Sequence, residues 1–255
     1  NRPARAVDHR LQQHFDACAS VYETEIGEEY PQWLKWHLIE KYAKHGDRVV
    51  DIGRANGRHA LDAALKVACE TICVDISEGM LKQLKQRPDY LLAEVESRPS
   101  PVVASALELP IQDESVDLAW SYATLLLMPD QQTAISEMVR IVKPGGIVIL
   151  DIGNVWNLGW LYWRRFYLKR GFSGIFPMSR RQIGKLVHAL GCQTLEDIPT
   201  GILSQLLLLP YIDKVTRLRD RIHKKGAYPD LDGRCSKLLP IFANRYYLVL
   251  RKKGG

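Results

Sequence analysis

A chain of 255 residues, 46% apolar and 25% charged, has the composition of an ordinary globular protein and the length for one α/β domain with insertions or a small cap. Its 35 basic and 29 acidic residues leave a net charge of +6, a modest excess that favours anionic partners without naming one. The sequence reads without a secretory leader or a long charge-free apolar run, and its five cysteines form no C-x-x-C pair or metal-ligand cluster, which points to a reducing, cytoplasmic setting and no bound metal.

In chain order, Leu11, Phe15, Ala19 and Tyr22 fall at helical spacing and predict an amphipathic helix over 8–23. Pro31 suits the first turn of a second helix, which ends near a C-cap at His45-Gly46. Val49-Val50-Asp51-Ile52 reads as a short buried strand. Gly53 and Gly57 then bracket a tight turn, and His59–Leu65 reads as a helix. Strand, glycine turn and helix make a nucleotide cradle. Glycine allows φ > 0 and a close ligand approach, and the helix start offers unpaired N–H groups. The spacing is neither the dinucleotide fingerprint nor a phosphate loop.

Further strands are predicted at 71–75, 101–105, 115–121 and 147–150, with helices at 78–87, capped by Ser77, and at 130–142. Pro144-Gly145-Gly146 reads as a turn before the fifth strand. Such alternation predicts a parallel sheet wound on both sides. Cys69 and Cys73 flank the second strand and read as small buried hydrophobes. The last hundred residues break the rhythm: a helix at 179–190 and strands at 192–198 and 245–250 are separated by irregular stretches at 153–178 and 199–243.

Five stretches, in order, resemble the class I S-adenosylmethionine (SAM) methyltransferases. Gly53, Ala55 and Gly57 stand at the three glycine positions of that family's first motif, with alanine in the middle. Asp75 ends the second strand. Ala104-Ser105-Ala106-Leu107-Glu108-Leu109-Pro110 is similar to the family's Asp-Ala-x-x-Leu-Pro stretch, and Ser115–Ser121 to its Phe-Asp-x-Val strand. Glu137-Met138-Val139-Arg140-Ile141-Val142-Lys143-Pro144-Gly145-Gly146 is similar to its Arg-Val-Leu-Lys-Pro-Gly-Gly. The resemblance covers roughly residues 8–152 and the final helix and strands. It implies a doubly wound, mostly parallel seven-stranded sheet of Rossmann-like kind with the last strand antiparallel. It also implies a single domain made of N-terminal lid helices (1–45), a SAM-binding core (46–152), a helical cap interleaved with a core helix and strand (153–243), and a final strand and tail (244–255).

The cofactor implied is SAM, lying across the carboxyl ends of the strands. Its implied contacts are Asp51, Gly53, Arg54, Ala55 and Gly57 at the turn; Asp75, Ile76 and Met80 after the second strand; Ser105, Ala106 and Leu107 after the third; and Ser121 and Tyr122 after the fourth. Asp75 would accept from both ribose hydroxyls, because a carboxylate offers two acceptor oxygens and no donor. Ser105 replaces the family aspartate beside the adenine amino group, a loss on the order of 1 kcal/mol that the main chain of Ala106 and Leu107 would offset. Arg54 reads either as a guide for a carboxylate or phosphate or as a solvent-facing side chain. Tyr22, in a Phe15-Asp16-x-x-Ala19-x-x-Tyr22 context, matches a family tyrosine that closes over the methionine end of the cofactor, against a plain core-packing role.

Methyl transfer from a sulfonium is an in-line displacement, for which alignment alone can supply ~7–11 kcal/mol of the barrier. A hydroxyl acceptor also needs a base. His59 is the one catalytic candidate, against a packing and helix-start role. The expected enzyme methylates a small molecule at oxygen, with no nucleic-acid partner. One alternative is an RNA or protein methyltransferase, against which stands the missing Asn/Asp-Pro-Pro-Tyr motif. Another is a catalytically silent SAM-fold partner, favoured by Ala55 and Ser105. Residues 155–170, dense in aromatics and basics, read in three ways: an aromatic-walled substrate pocket, an interfacial helix giving peripheral membrane contact through 156–170, or a helix that packs its rings on the sheet.

Overall fold

The computed structural model describes residues 2–21, 29–53, 57–205, 222 and 228–254. Seven strands form one sheet: β1 (Arg48–Ile52), β2 (Glu70–Asp75), β3 (Ser100–Val103), β4 (Val116–Ser121), β5 (Val142–Gly153), β6 (Cys192–Thr200) and β7 (Arg245–Lys252). Their order is β3-β2-β1-β4-β5-β7-β6. The first five pair in parallel, and β7 runs antiparallel to both β5 and β6. The order reverses between β1 and β4, so the crevice where open α/β sheets bind their ligands lies at the carboxyl ends of these two strands.

The helices are α1 (Arg2–Cys18), α2 (Glu29–Tyr42), α3 (Arg58–Asp62), α4 (Glu78–Gln86), α5 (Pro88–Leu92), α6 (Gln131–Ile141), α7 (Trp160–Lys169), α8 (Arg180–Ala189) and α9 (Leu231–Leu238). Alternate strand residues serve two cores. Val50, Ile52, Val148 and Leu150 pack with Ile135 and Met138 of α6 and Ile183 and Val187 of α8. Val49, Leu118, Trp120 and Ile149 pack with Leu34 and Leu38 of α2, Leu61 of α3 and Leu81 and Leu84 of α4. Both faces are covered, which is why these strands are nearly continuous apolar runs.

Helix starts follow their caps. The Ser77 hydroxyl accepts from the Met80 N–H at 3.1 Å, and Ser179 and Gln182 form a capping box on α8. Two predicted elements come out differently. The helix expected over 59–65 stops at Asp62 and widens into a π turn at Ala63–Val67, after which Ala68, at φ 60°, turns the chain into β2. The Pro144-Gly145-Gly146 turn lies inside β5 rather than before it. Val142 pairs with Val116 and Ile147 with Leu118, so the turn loops out of a ladder that continues on either side.

Long-range side chains tie the outer helices to the sheet. Asp16 of α1 accepts from the Ser77 hydroxyl at 2.6 Å and from the Gly79 N–H at 2.9 Å, which latches α1 to the start of α4. Asp232 of α9 is fully buried and accepts from the N–H groups of Gly201, Leu203 and Ser204 at 2.8, 2.5 and 3.1 Å. Asn154, also fully buried, donates to the carbonyls of Ile241 and Ala243 at 2.7 and 2.8 Å.

Candidate cofactor and acceptor site

Gly53 leaves β1 at φ 83°. Its N–H donates to the Val74 carbonyl at 2.7 Å, and its carbonyl accepts from the Thr124 hydroxyl at 2.8 Å. A Cβ here would overlap Thr124, and one on Gly57, at φ 60°, would overlap Leu84. Glycine is required at both positions by the left-handed backbone and by the packing. Arg54 and Ala55, between them, lie outside the described residues, as does Tyr22.

On the neighbouring strand, Asp75 ends β2 almost buried, and its Oδ1 accepts from the Ser77 N–H at 2.8 Å. Ile76 follows, half-buried. Asp51 is buried in β1, its Cα opposite Cys73. Burial first, and then the Asp51 and Asp75 carboxylates, push the Cys73 thiol far above its ordinary pKa, so it is an inert packing group.

The loop after β3 carries Ser105, Ala106 and Leu107. The Ser105 hydroxyl accepts from the Leu107 N–H at 3.1 Å, so this main-chain donor is already engaged within its own turn. Arg140 of α6 clamps the loop. It donates to the Leu109 and Ile111 carbonyls, both at 2.9 Å, and to Glu137 at 2.7 and 2.8 Å, while Glu137 accepts from the Leu109 N–H at 2.8 Å. Hydrogen bonding from Arg140, above all, holds the Glu137 carboxyl below its ordinary pKa.

Four of the expected site residues turn their side chains inward. Ser121 donates to the Ile52 carbonyl at 2.9 Å and staples β4 to β1. Tyr122 donates to the Lys35 carbonyl at 3.0 Å. Met80 packs in the core beside α2 and α3. His59 is buried with its ring edge-on to Tyr122 at 5.9 Å.

Beyond Thr124, a second constellation escaped the sequence reading. Asp151, 1% exposed, accepts from the Ala123 N–H at 2.6 Å and pairs with Arg245 of β7 at 2.5 Å. Burial is the largest single influence and works against the Arg245 charge, but the Asp151 carboxylate, Tyr167 and Tyr247 together raise the guanidinium pKa. Arg245 forms one wall of a narrow, partly open cleft whose other walls include Leu126, Gly153, Asn157, Trp163 and Tyr167. Asn157 Oδ1 and Trp163 Nε1 are buried there without hydrogen-bond partners. The signal for this constellation was available: Asp151 sits near the end of the fifth strand, much as Asp75 ends the second. Among the described residues no three His, Cys, Asp or Glu side chains gather to hold a metal, and no helix is long and apolar enough to cross a membrane.

A methyltransferase-domain family model matches residues 50–150, the span from β1 to β5. The chain is 30% identical over 185 residues to a demethylmenaquinone methyltransferase of Bacillus cereus, covering 69% of this chain and 74% of that one. It is 34% identical over 105 residues to the 27-O-demethylrifamycin SV methyltransferase of Amycolatopsis mediterranei, covering 41% of this chain and 38% of that one. The matches span 38% to 65% of the length of the first relatives found. The solved structure of the [4+2]-cyclase SpnF superposes with a TM-score of 0.67 at 19% identity over 96% of both chains, a likeness of fold. With the glycine turn, the acidic end of β2 and the sheet order all in their family places, this chain belongs to the class I SAM-dependent methyltransferases.

Proposed function

We propose that this chain binds SAM along the carboxyl ends of β1, β2 and β4 and passes its methyl group to an oxygen of a small-molecule acceptor held under α7. The observation that carries the reading is the left-handed glycine turn after β1 beside the Asp75 carboxylate ending β2. These residues fit the group. A carboxylate fixed at one oxygen by the Ser77 N–H suits a ribose diol, and a bare glycine backbone suits the close approach of the amino-acid part. The loop of Ser105 to Leu107, clamped by Arg140, flanks the adenine side. When bound, SAM supplies an electrophilic methyl group whose sulfur leaves as a neutral thioether.

The chain contributes alignment, the largest catalytic effect open to it, worth about 7–11 kcal/mol. The acceptor lies in the cleft beside Leu126, Trp163 and Tyr167, where the Trp163 N–H and the Asn157 amide oxygen orient a hydroxyl whose proton passes to water at the open mouth, water acting as the base. The rifamycin relative, whose name specifies a 27-O-demethyl substrate, supports oxygen as the accepting atom. All five thiols are free, which supports a reducing, cytoplasmic setting. The Ser105 hydroxyl folded onto its own loop, and a fold-mate named as a cyclase, favour a second reading in which SAM is bound without methyl transfer.

Calorimetry with SAM and its demethylated product, then incubation with methyl-labelled SAM and a panel of hydroxylated small molecules, tests both. Binding with a labelled product is expected. Binding without any labelled product favours the second reading, and no heat at millimolar ligand with folded protein overturns both.

A further inference from the structure

The charge of the chain is unevenly placed. Residues 152–195 hold seven Lys and Arg and no Asp or Glu, while the rest of the chain holds 28 basic and 29 acidic residues. The whole basic excess therefore belongs to the stretch that carries α7 and α8. Part of it is spent internally: Arg180 pairs with Asp197, and Arg170 lies 3.5 Å over the Phe166 ring. Arg164, Arg165 and Lys169 of α7 are exposed and make no ion pair among the described residues.

The same surface is apolar. No residue of α7 is buried. At 100° per residue, Leu161, Tyr162, Arg165, Leu168 and Lys169 share one side of the helix, opposite Trp163 and Tyr167 in the cleft wall. Leu161 is 72% exposed, and Trp156 and Leu158 in the preceding turn are each 64% exposed. Asn154, buried beneath, ties the turn that carries Trp156 to the 241–243 segment: it accepts from the Trp156 N–H at 3.1 Å and donates to the Ile241 and Ala243 carbonyls. In that neighbouring segment and the end of α9 before it, Leu238, Leu239 and Ile241 are each more than half exposed. Soluble surfaces rarely leave so many large apolar side chains side by side without an occupant.

We propose that this face, made of the 155–159 turn, the outer side of α7 and the 238–242 segment, docks on the headgroup surface of an anionic bilayer. Leucine and tryptophan side chains enter the acyl boundary while Arg and Lys beside them meet lipid phosphates, an arrangement typical of in-plane interfacial helices. A polyphosphate chain such as RNA would use the cations but gain nothing from the exposed leucines, which decides between the two polyanions. The inference is independent of methyl transfer.

Flotation of the full chain with phosphatidylcholine vesicles, with and without 30% phosphatidylglycerol, tests it. Each basic side chain near an anionic surface is worth roughly a fivefold factor in partitioning. Wild type should bind the anionic vesicles at least tenfold better than the neutral ones, and lose that advantage at high salt. R164E/R165E/K169E should lose at least about twentyfold, and L161S/L168S, with every charge kept, several-fold. Melting temperature and SAM calorimetry report whether the variants fold. Wild type that never floats with anionic vesicles, or variants that fold and float equally well, would overturn the proposal. So would retention of a 20-nucleotide RNA without vesicle binding, or a dimer that L161S/L168S abolishes.

Discussion

With one oxygen fixed by the Ser77 N–H, the Asp75 carboxylate is held in one orientation, as the proposed ribose contact requires. Asp75→Ala removes both acceptor oxygens. Hydrogen bonds to a charged group are worth about 1.5–3 kcal/mol each, so SAM affinity measured by calorimetry should fall at least tenfold. An unchanged dissociation constant in the folded variant would remove Asp75 from the site. Asp75, Gly53 and Gly57 were legible in the sequence because their requirements are local: a strand end and two left-handed turns. Asp16 and Asp232 were not, since their partners lie 61 and 31 residues away and no nearby pattern marks them. Ser121 ends β4 and Tyr122 follows it, yet their hydroxyls donate to the Ile52 and Lys35 carbonyls. Position along the chain foretold the rim but not the direction of the side chain.

At the scale of elements, α6 governs the loop after β3 through Arg140 and Glu137. The Glu137 carboxyl lies below its ordinary value in the fold and near 4.3 in the unfolded chain. A depressed pKa contributes stability that is fully present above the unfolded value and lost as pH falls through the folded one. The urea midpoint of wild type should therefore drop on acidification from about pH 5 towards 3. Glu137→Gln should flatten part of that slope while lowering the midpoint near pH 7. A variant with the same slope as wild type would show that the clamp does not titrate with the fold. Most strands and core helices were legible from their period and their caps. The interruption of β5 was not, because Pro144, Gly145 and Gly146 are turn formers wherever they stand, and only the resumed pairing with β4 shows the strand on both sides of them. The cap stretches have no sustained period at all, and their order rests on single buried groups such as Asn154.

In the whole molecule, β7 is hydrogen-bonded along both edges, to β5 on one side and β6 on the other. The strand made last in the sheet is thus an interior one, and this ties folding to the direction of synthesis. While a ribosome is still adding residues 245–252, β6 has no neighbour and α8 has only part of a sheet to cover. Asp151 then carries its charge without Arg245. A chain stopped at Asn244 would not be a slightly shortened enzyme. It would leave the backbone N–H and C=O groups along one edge of β5 without partners and leave Asp151 without its cation, where losing one partner of a buried ion pair typically costs about 3–5 kcal/mol. Such a chain should be recovered as aggregate or show no cooperative melt, whereas one stopped after Lys252 should melt as the full chain does. A cooperative transition in the shorter product would mean that β1 to β5 and their helices fold on their own. Absent that, the nascent protein stays without a closed sheet, and open to chaperones and proteases, until its last strand emerges.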